Sequence, residues 1–109
     1  MIRLSGPLIY TENGVIKNAD LIISNEKIGA IETRNKSASP DLIVFPESYH
    51  LLPGFIDVHM HGAGGFDVMD GTAEALKSIS QALVAEGTTS WLATTMTASS
   101  EIISDVVSA

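Results

Sequence analysis

The sequence predicts an α/β fold, and two observations support this prediction. The first half consists of short apolar stretches separated by turn residues, which is typical of antiparallel strands. The second half alternates strand and helix patterns twice, and this alternation implies parallel strands joined by crossover helices. Two strand–helix units complete neither a barrel nor an open sheet, so we expect the chain to be a piece of a longer protein.

The composition argues against several classes of function. Thirteen acidic residues against six basic ones give the 109-residue chain a formal net charge of −7, whereas binding to nucleic acid requires clustered Lys and Arg. Cysteine is absent, so any metal must be held by imidazole or carboxylate groups. There is neither a long apolar run nor a signal-peptide pattern. We therefore expect a cytoplasmic protein with no nucleic-acid or membrane partner.

In the first half, turn residues divide the chain into short strands. Asn13-Gly14 is a strong hairpin signal because both residues tolerate a positive φ. A second turn is expected at Asn25-Glu26, a polar loop over residues 33–40, and a further turn over Leu51–Gly54. The strands expected between these turns are Leu8–Tyr10, Val15–Ile16, Ala19–Ser24, Lys27–Glu32 and Asp41–Pro46.

The second half begins with an apolar strand over Phe55–His61, followed by a glycine-rich loop. Thr72 is a suitable N-cap for a helix, and Gly87 lies where a left-handed C-cap is favoured. A strand over Thr89–Met96 and a helix over Ser99–Ala109 are expected to follow. The apolar stripe expected on the first helix consists of Leu76, Ile79, Leu83 and Val84.

The residues that carry chemistry lie at the end of the first strand of this half. Because side chains alternate along a strand, Asp57, His59 and His61 are expected to share one face. Two imidazoles on one face can reach a single metal ion, but such a pair also fits ordinary structural histidines. His50 is expected to be structural, and further ligands must come from elsewhere. The opposite face is expected to pack against a helix through Ile56, Val58 and Met60.

The run Pro53–Gly62 resembles the first barrel strand of the amidohydrolase superfamily. Residues His61–Thr72 and Gly87–Thr97 resemble one of its branches, the N-acetylglucosamine-6-phosphate deacetylases, and Asn18–Ile31 looks like the small β-sandwich domain of these enzymes. The resemblance implies that residues 53–109 are the first two β/α units of a (β/α)₈ TIM-type barrel. Residues 1–52 would then be part of the preceding sandwich domain.

The resemblance also implies a function for the intact protein. It would hydrolyse the N-acetyl group of N-acetylglucosamine 6-phosphate, a small-molecule amino-sugar phosphate, to glucosamine 6-phosphate and acetate. His59 and His61 would bind a divalent metal, Zn or Fe. The presence of both histidines favours a two-metal site. No catalytic residue is assigned because the remaining ligands and the general base would follow Ala109. The substrate-binding residues stay unknown, the chain alone is expected to be inactive, and the intact enzyme is expected to be a homodimer.

Two rival interpretations of the chain stay open. Another amidohydrolase, of the dihydroorotase or allantoinase kind, would share the strand motif, and a non-enzymatic β-rich module would carry its histidines by chance. Locally, Asp57 either orients an imidazole or is satisfied by the backbone or a lysine. The glycines at 62, 64 and 65 form a tight turn or approach a phosphate. Packing or interior positions are expected for Met60, Met69, Ser90, Trp91, Thr94 and Thr95.

Overall fold

A computed structural model describes residues 1–35 and 41–108 and divides the chain into two compact units, Met1–Pro53 and Gly54–Ala109. Most of the loop expected over residues 33–40 lies outside the described residues, as does the last residue of the helix expected over Ser99–Ala109. In the described part of the chain, no helix is both long and apolar enough to cross a bilayer.

The first unit contains two small sheets. Its strands in the described residues are β1 (Ile2–Ser5), β2 (Leu8–Thr11), β3 (Gly14–Ile16), β4 (Ala19–Ser24), β5 (Lys27–Thr33), β6 (Leu42–Val44) and β7 (His50–Leu51). One sheet has the order β5-β4-β1-β6 and the other the order β3-β2-β7. The pairs β1–β4, β4–β5 and β2–β3 are antiparallel, while β1–β6 and β2–β7 are parallel.

A hairpin forms at each of the two places expected from the sequence. In the first, the turn residues are Glu12 and Asn13, and of the expected Asn13-Gly14 pair only Gly14 has a positive φ. Thr11 pairs with Gly14, which has a φ of 119°, and Ser24 pairs with Lys27. Asn25 and Glu26 have φ values of 50° and 60°, as the two central residues of a type I′ turn require.

Two strands of the first unit were not expected from the sequence. β1 has only four residues, yet it lies between β4 and β6. The expectation of a turn beginning at Leu51 is wrong, because Leu51 belongs to β7 and pairs with Ile9. Pairing with distant strands stabilises both segments, and local sequence patterns do not reveal such pairing.

The core of the first unit contains an ion pair beside its apolar residues. Ile9, Ala19 and Leu21 are buried, and Leu4, Ile23 and Leu51 pack against them. Asp20 has no exposed surface, and its Oδ2 accepts a hydrogen bond of 2.9 Å from Arg3. Burial alone would raise the pKa of this carboxyl, but hydrogen bonds from Ser5, the Asn35 N–H and Arg3 outweigh burial and lower the pKa.

The second unit is built around a parallel pair of strands. Its described elements are β8 (Phe55–Met60), β9 (Gly62–Ala63), β10 (Phe66–Asp67), a 3₁₀ turn (Val68–Asp70), α1 (Ala73–Ala85), β11 (Thr88–Ala93) and α2 (Ser100–Val107). β8 and β11 are parallel and α1 connects them, so the predicted strand–helix–strand order is confirmed. Its core consists of Val68, Ile79 and Leu83, against which Met60, Leu76, Trp91 and Val106 pack.

Helix α1 begins and ends where its capping residues predict. The Thr72 hydroxyl accepts a 3.1 Å hydrogen bond from the Ala75 N–H, and Gly87 has a φ of 89°. Val84 does not belong to the buried stripe, since 67% of it is exposed. It follows Leu83 by one residue, and successive side chains on a helix diverge by about 100°. β8 and β11 end at Met60 and Ala93, before the expected His61 and Met96.

Candidate metal centre

His59 and His61 lie together at the carboxyl end of β8. Their Nε2 atoms are 3.1 Å apart, and the two rings are perpendicular, with centroids separated by 4.8 Å. Two nitrogens that bind one zinc ion at about 2.0–2.1 Å with tetrahedral angles lie about 3.3 Å apart. The pair therefore fits a shared metal ion, and the expectation that the two imidazoles share a face is confirmed.

A backbone carbonyl accepts a hydrogen bond from the His61 ring. Its Nδ1 lies 2.8 Å from the carbonyl oxygen of Thr94, the residue that follows β11. A carbonyl oxygen only accepts hydrogen bonds, so Nδ1 must be the donor. In a neutral imidazole the Nε2 atom is then unprotonated, which is the state that binds a metal. Nε2 is the atom that faces His59.

Asp57 contacts the backbone of the histidine pair and not its rings. Its Oδ1 accepts a 3.0 Å hydrogen bond from the His59 N–H. The alternative in which the backbone satisfies this carboxylate is therefore confirmed. The contact spans the segment just before the two histidines, so Asp57 stabilises the local conformation from which His59 projects.

The expectation that Asp57 shares a face with the two histidines is wrong. Asp57 pairs with Trp91, whose indole N–H donates to the Ser80 hydroxyl of α1 at 3.1 Å. Paired residues on adjacent strands share a face, so Asp57 lies on the α1 side. Met60 also packs on that side, against the core of the second unit. Strict alternation would put residues 57 and 60 on opposite faces.

A β-bulge explains this change of face. From Asp57 to Met60 the strand advances three residues, while β11 advances only two, from Trp91 to Ala93. The extra residue reverses the alternation before His59. The expected packing of Ile56 and Val58 against the helix is consequently wrong, since they are 71% and 68% exposed. Bulges often redirect side chains next to functional sites, and this bulge lies directly before the histidine pair.

The glycine-rich segment after His61 is a tight turn, as the structural alternative predicted. Gly62-Ala63 pairs with Phe66-Asp67, and the intervening Gly64 and Gly65 have φ values of 63° and 84°. A side chain at Gly62 would collide with the carbonyl oxygen of Phe66. The His61 carbonyl accepts a 2.7 Å hydrogen bond from the Val68 N–H. His61 is therefore anchored to the start of the 3₁₀ turn.

The other candidate residues lie outside the pair. His50 is in the first unit, where its Nδ1 is 2.7 Å from the Tyr10 hydroxyl. Met69 accepts a 3.3 Å hydrogen bond through its sulfur from the Met96 N–H. Within residues 1–35 and 41–108, no cluster of three or more His, Asp or Glu side chains is arranged to hold a metal ion. Sequence reasoning placed Thr94 in the interior and missed its carbonyl contact, because a backbone acceptor leaves no residue-type signal.

Known proteins resemble this chain in both sequence and fold, although no protein-family profile matches it. It is 47% identical over 90 residues to N-acetylglucosamine-6-phosphate deacetylase of Bacillus subtilis (strain 168), covering 82% of this chain and 23% of that protein. It is 36% identical over 90 residues to N-acetylgalactosamine-6-phosphate deacetylase of Escherichia coli O157:H7, covering 83% of this chain and 22% of that protein. The crystal structure of N-acetylglucosamine-6-phosphate deacetylase from Pasteurella multocida matches with a TM-score of 0.90 at 28% identity, covering 98% of this chain and 28% of that one.

These comparisons cover most of this chain but only a part of its relatives. The chain spans about a quarter of the length of the curated relatives that it matches. Over that part, the resemblance to N-acetylglucosamine-6-phosphate deacetylases is confirmed in sequence and in fold. The mixed α/β class, with more strands than helices, is confirmed as well.

Proposed function

We propose that this chain is part of an N-acetylglucosamine-6-phosphate deacetylase, which hydrolyses N-acetylglucosamine 6-phosphate to glucosamine 6-phosphate and acetate. The observation that carries the proposal is the pair of Nε2 atoms, 3.1 Å apart, on His59 and His61. The 47% identity to the Bacillus subtilis enzyme supports the choice of this substrate over the cyclic ureides of dihydroorotase-like or allantoinase-like enzymes. It also argues against a non-enzymatic module.

The architecture that we propose for the intact protein follows from the two units. The first, with its two small sheets, would be part of a small β-sandwich domain. The second would supply the first two β/α units of a (β/α)₈ barrel, because β8 and β11 are parallel and α1 connects them. In such barrels the active site lies at the carboxyl ends of the strands. His59 and His61 lie at that end of β8.

His59 and His61 would hold the divalent metal through their Nε2 atoms. Imidazole nitrogen is a favoured ligand of both zinc and iron. The presence of both histidines favours a two-metal site. A bound divalent cation would polarise the acetamide carbonyl and lower the pKa of a water molecule. Within this chain, Thr94 would keep the His61 Nε2 unprotonated, and Asp57 would hold the backbone of His59. We assign no catalytic or substrate-contacting residue among the 109.

A second candidate substrate is N-acetylgalactosamine 6-phosphate. The relative from Escherichia coli O157:H7, 36% identical over 90 residues, is named as a deacetylase of that sugar. Both sugars carry the same acetamide and phosphate, so a metal centre of this kind suits either. In both cases the partner would be a small-molecule amino-sugar phosphate, and we propose a cytoplasmic homodimer as the working form.

Acetate release by the intact protein tests the proposal. We expect hydrolysis of N-acetylglucosamine 6-phosphate in preference to N-acetylgalactosamine 6-phosphate, and no hydrolysis of dihydroorotate or allantoin. The double variant His59→Ala/His61→Ala should lose most of its zinc or iron by elemental analysis and lose activity. His50→Ala is the matched control, because His50 contacts Tyr10 in the first unit. Absence of acetate release from both sugars would refute the proposed function.

A further inference from the structure

We infer that Thr94 is a positioning residue for the metal centre, which holds His61 in the tautomer that presents an unprotonated Nε2. The consequence for metal binding rests on the proposed function. The tautomer itself does not, because it follows from hydrogen bonds that the protein makes without any metal.

Thr94 is fixed to β8 by its backbone and its side chain together. Its N–H donates to the Met60 carbonyl at 2.9 Å. Its hydroxyl group accepts a 3.3 Å hydrogen bond from the Met60 N–H and donates its own O–H to the Leu92 carbonyl at 3.2 Å. The first residue after β11 is thus held to the residue that lies between the two histidines.

These hydrogen bonds direct the Thr94 carbonyl towards the imidazole of His61. The carbonyl oxygen is 2.8 Å from Nδ1 of His61 and accepts a hydrogen bond from its N–H. The ring is thereby fixed in orientation as well as in tautomer. Histidine ligands of metals commonly donate their second N–H to such an acceptor, which increases the basicity of the ligand nitrogen.

The side-chain hydroxyl is the part of this arrangement that mutation can remove. Valine matches threonine in shape but lacks the hydroxyl, so Thr94→Val leaves the Met60 N–H without its side-chain acceptor. It also removes the hydrogen bond to Leu92. An unsatisfied N–H favours local rearrangement, and this one lies within the bulged segment. Serine retains both hydrogen bonds, so Thr94→Ser is the matched rescue.

The first test measures the tautomer in the metal-stripped protein with ¹⁵N-labelled histidine. Spectra are recorded at about pH 8, above the ordinary histidine pKa of about 6.5. We expect His61 to carry its proton on Nδ1 in the wild type and in Thr94→Ser. In Thr94→Val we expect a mixture of tautomers. The His50 signals, which report on the first unit, should be unchanged in all three proteins.

The second test measures zinc affinity by competition with a chromophoric chelator. Loss of an outer hydrogen-bond partner of a metal ligand typically weakens metal binding by about 10- to 100-fold. We expect a loss in that range for Thr94→Val and wild-type affinity for Thr94→Ser. A merely structural role would lower stability without changing the tautomer of the folded protein.

Several outcomes would overturn the inference. A wild-type His61 with its proton on Nε2 would do so without any variant, even if Thr94→Val failed to fold. A Thr94→Val protein with the wild-type tautomer would also do so, whether or not its zinc affinity fell. By contrast, a protein whose His61 tautomer depends on Thr94 but that binds no zinc would refute the proposed metal centre and leave the positioning role standing.

Discussion

Truncation of Ile79 is expected to destabilise the unit that carries the histidine pair. Ile79 has no exposed surface and lies at the centre of the cluster on which β8 and β11 rest through Met60 and Trp91. Ile79→Ala removes three carbon groups, worth about 0.8 kcal/mol each in transfer from water. The cavity left behind adds to this, and substitutions of this type cost about 2–5 kcal/mol. We expect a loss of about 3–4 kcal/mol, within that range.

Urea unfolding followed by Trp91 fluorescence measures this loss, because Trp91 is the single tryptophan of the chain and packs against the same core. With a denaturant slope of about 1–3 kcal/mol per molar, the midpoint should fall by about 1 M or more. Ile79→Val should cost about 0.5–1.5 kcal/mol. Val84→Ala, on the exposed side of the same helix, should change stability by less than about 0.5 kcal/mol. Equal midpoints for Ile79→Ala and Val84→Ala would refute the assigned core.

Two carboxylates give further predictions. The pKa of Asp20 is lowered in the folded protein, so its contribution to stability is complete above its unfolded pKa of about 3.9 and is lost as pH falls through the lower folded value. Unfolding midpoints between about pH 5 and pH 2 should therefore fall less steeply for Asp20→Asn than for the wild type. Asp57→Asn should keep zinc affinity near wild type, because its amide oxygen can accept from the His59 N–H, while Asp57→Ala should weaken it by about 10-fold. Equal zinc affinity in both Asp57 variants would refute the supporting role of that contact.

Turn and capping residues made much of the fold predictable from the sequence. Asn25-Glu26, Thr72 and Gly87 lie where local backbone geometry selects for their side chains, and the structure confirms each. β1 and β7 escaped prediction because distant strands stabilise them, as the pairing of Leu51 with Ile9 illustrates. Sequence patterns report local preferences well and report non-local pairing poorly.

The sequence predicted the histidine pair but not the contacts that hold it in place. The spacing of His59 and His61 places both rings on one side of any strand, and the structure shows them there. The face of Asp57 depended on strict alternation, which the bulge before His59 breaks. No residue type marks that bulge, which is a shift in the register between β8 and β11. The contact made by the Thr94 carbonyl could not be predicted either, since every residue has a backbone carbonyl.

The contacts that shape the histidine pair all lie within the second unit. Asp57 holds the His59 backbone, Thr94 orients the His61 ring, and Val68 binds the His61 carbonyl. These partners lie in β8, just after β11 or in the segment between them, so these elements set the geometry of the two histidines. A metal centre assembled from several strands binds its ion more tightly when each contribution is already ordered, because disordered ligands lose conformational entropy on binding. We infer that this strand–helix–strand segment supplies one such preorganised contribution, two nitrogens at the spacing of a shared ion.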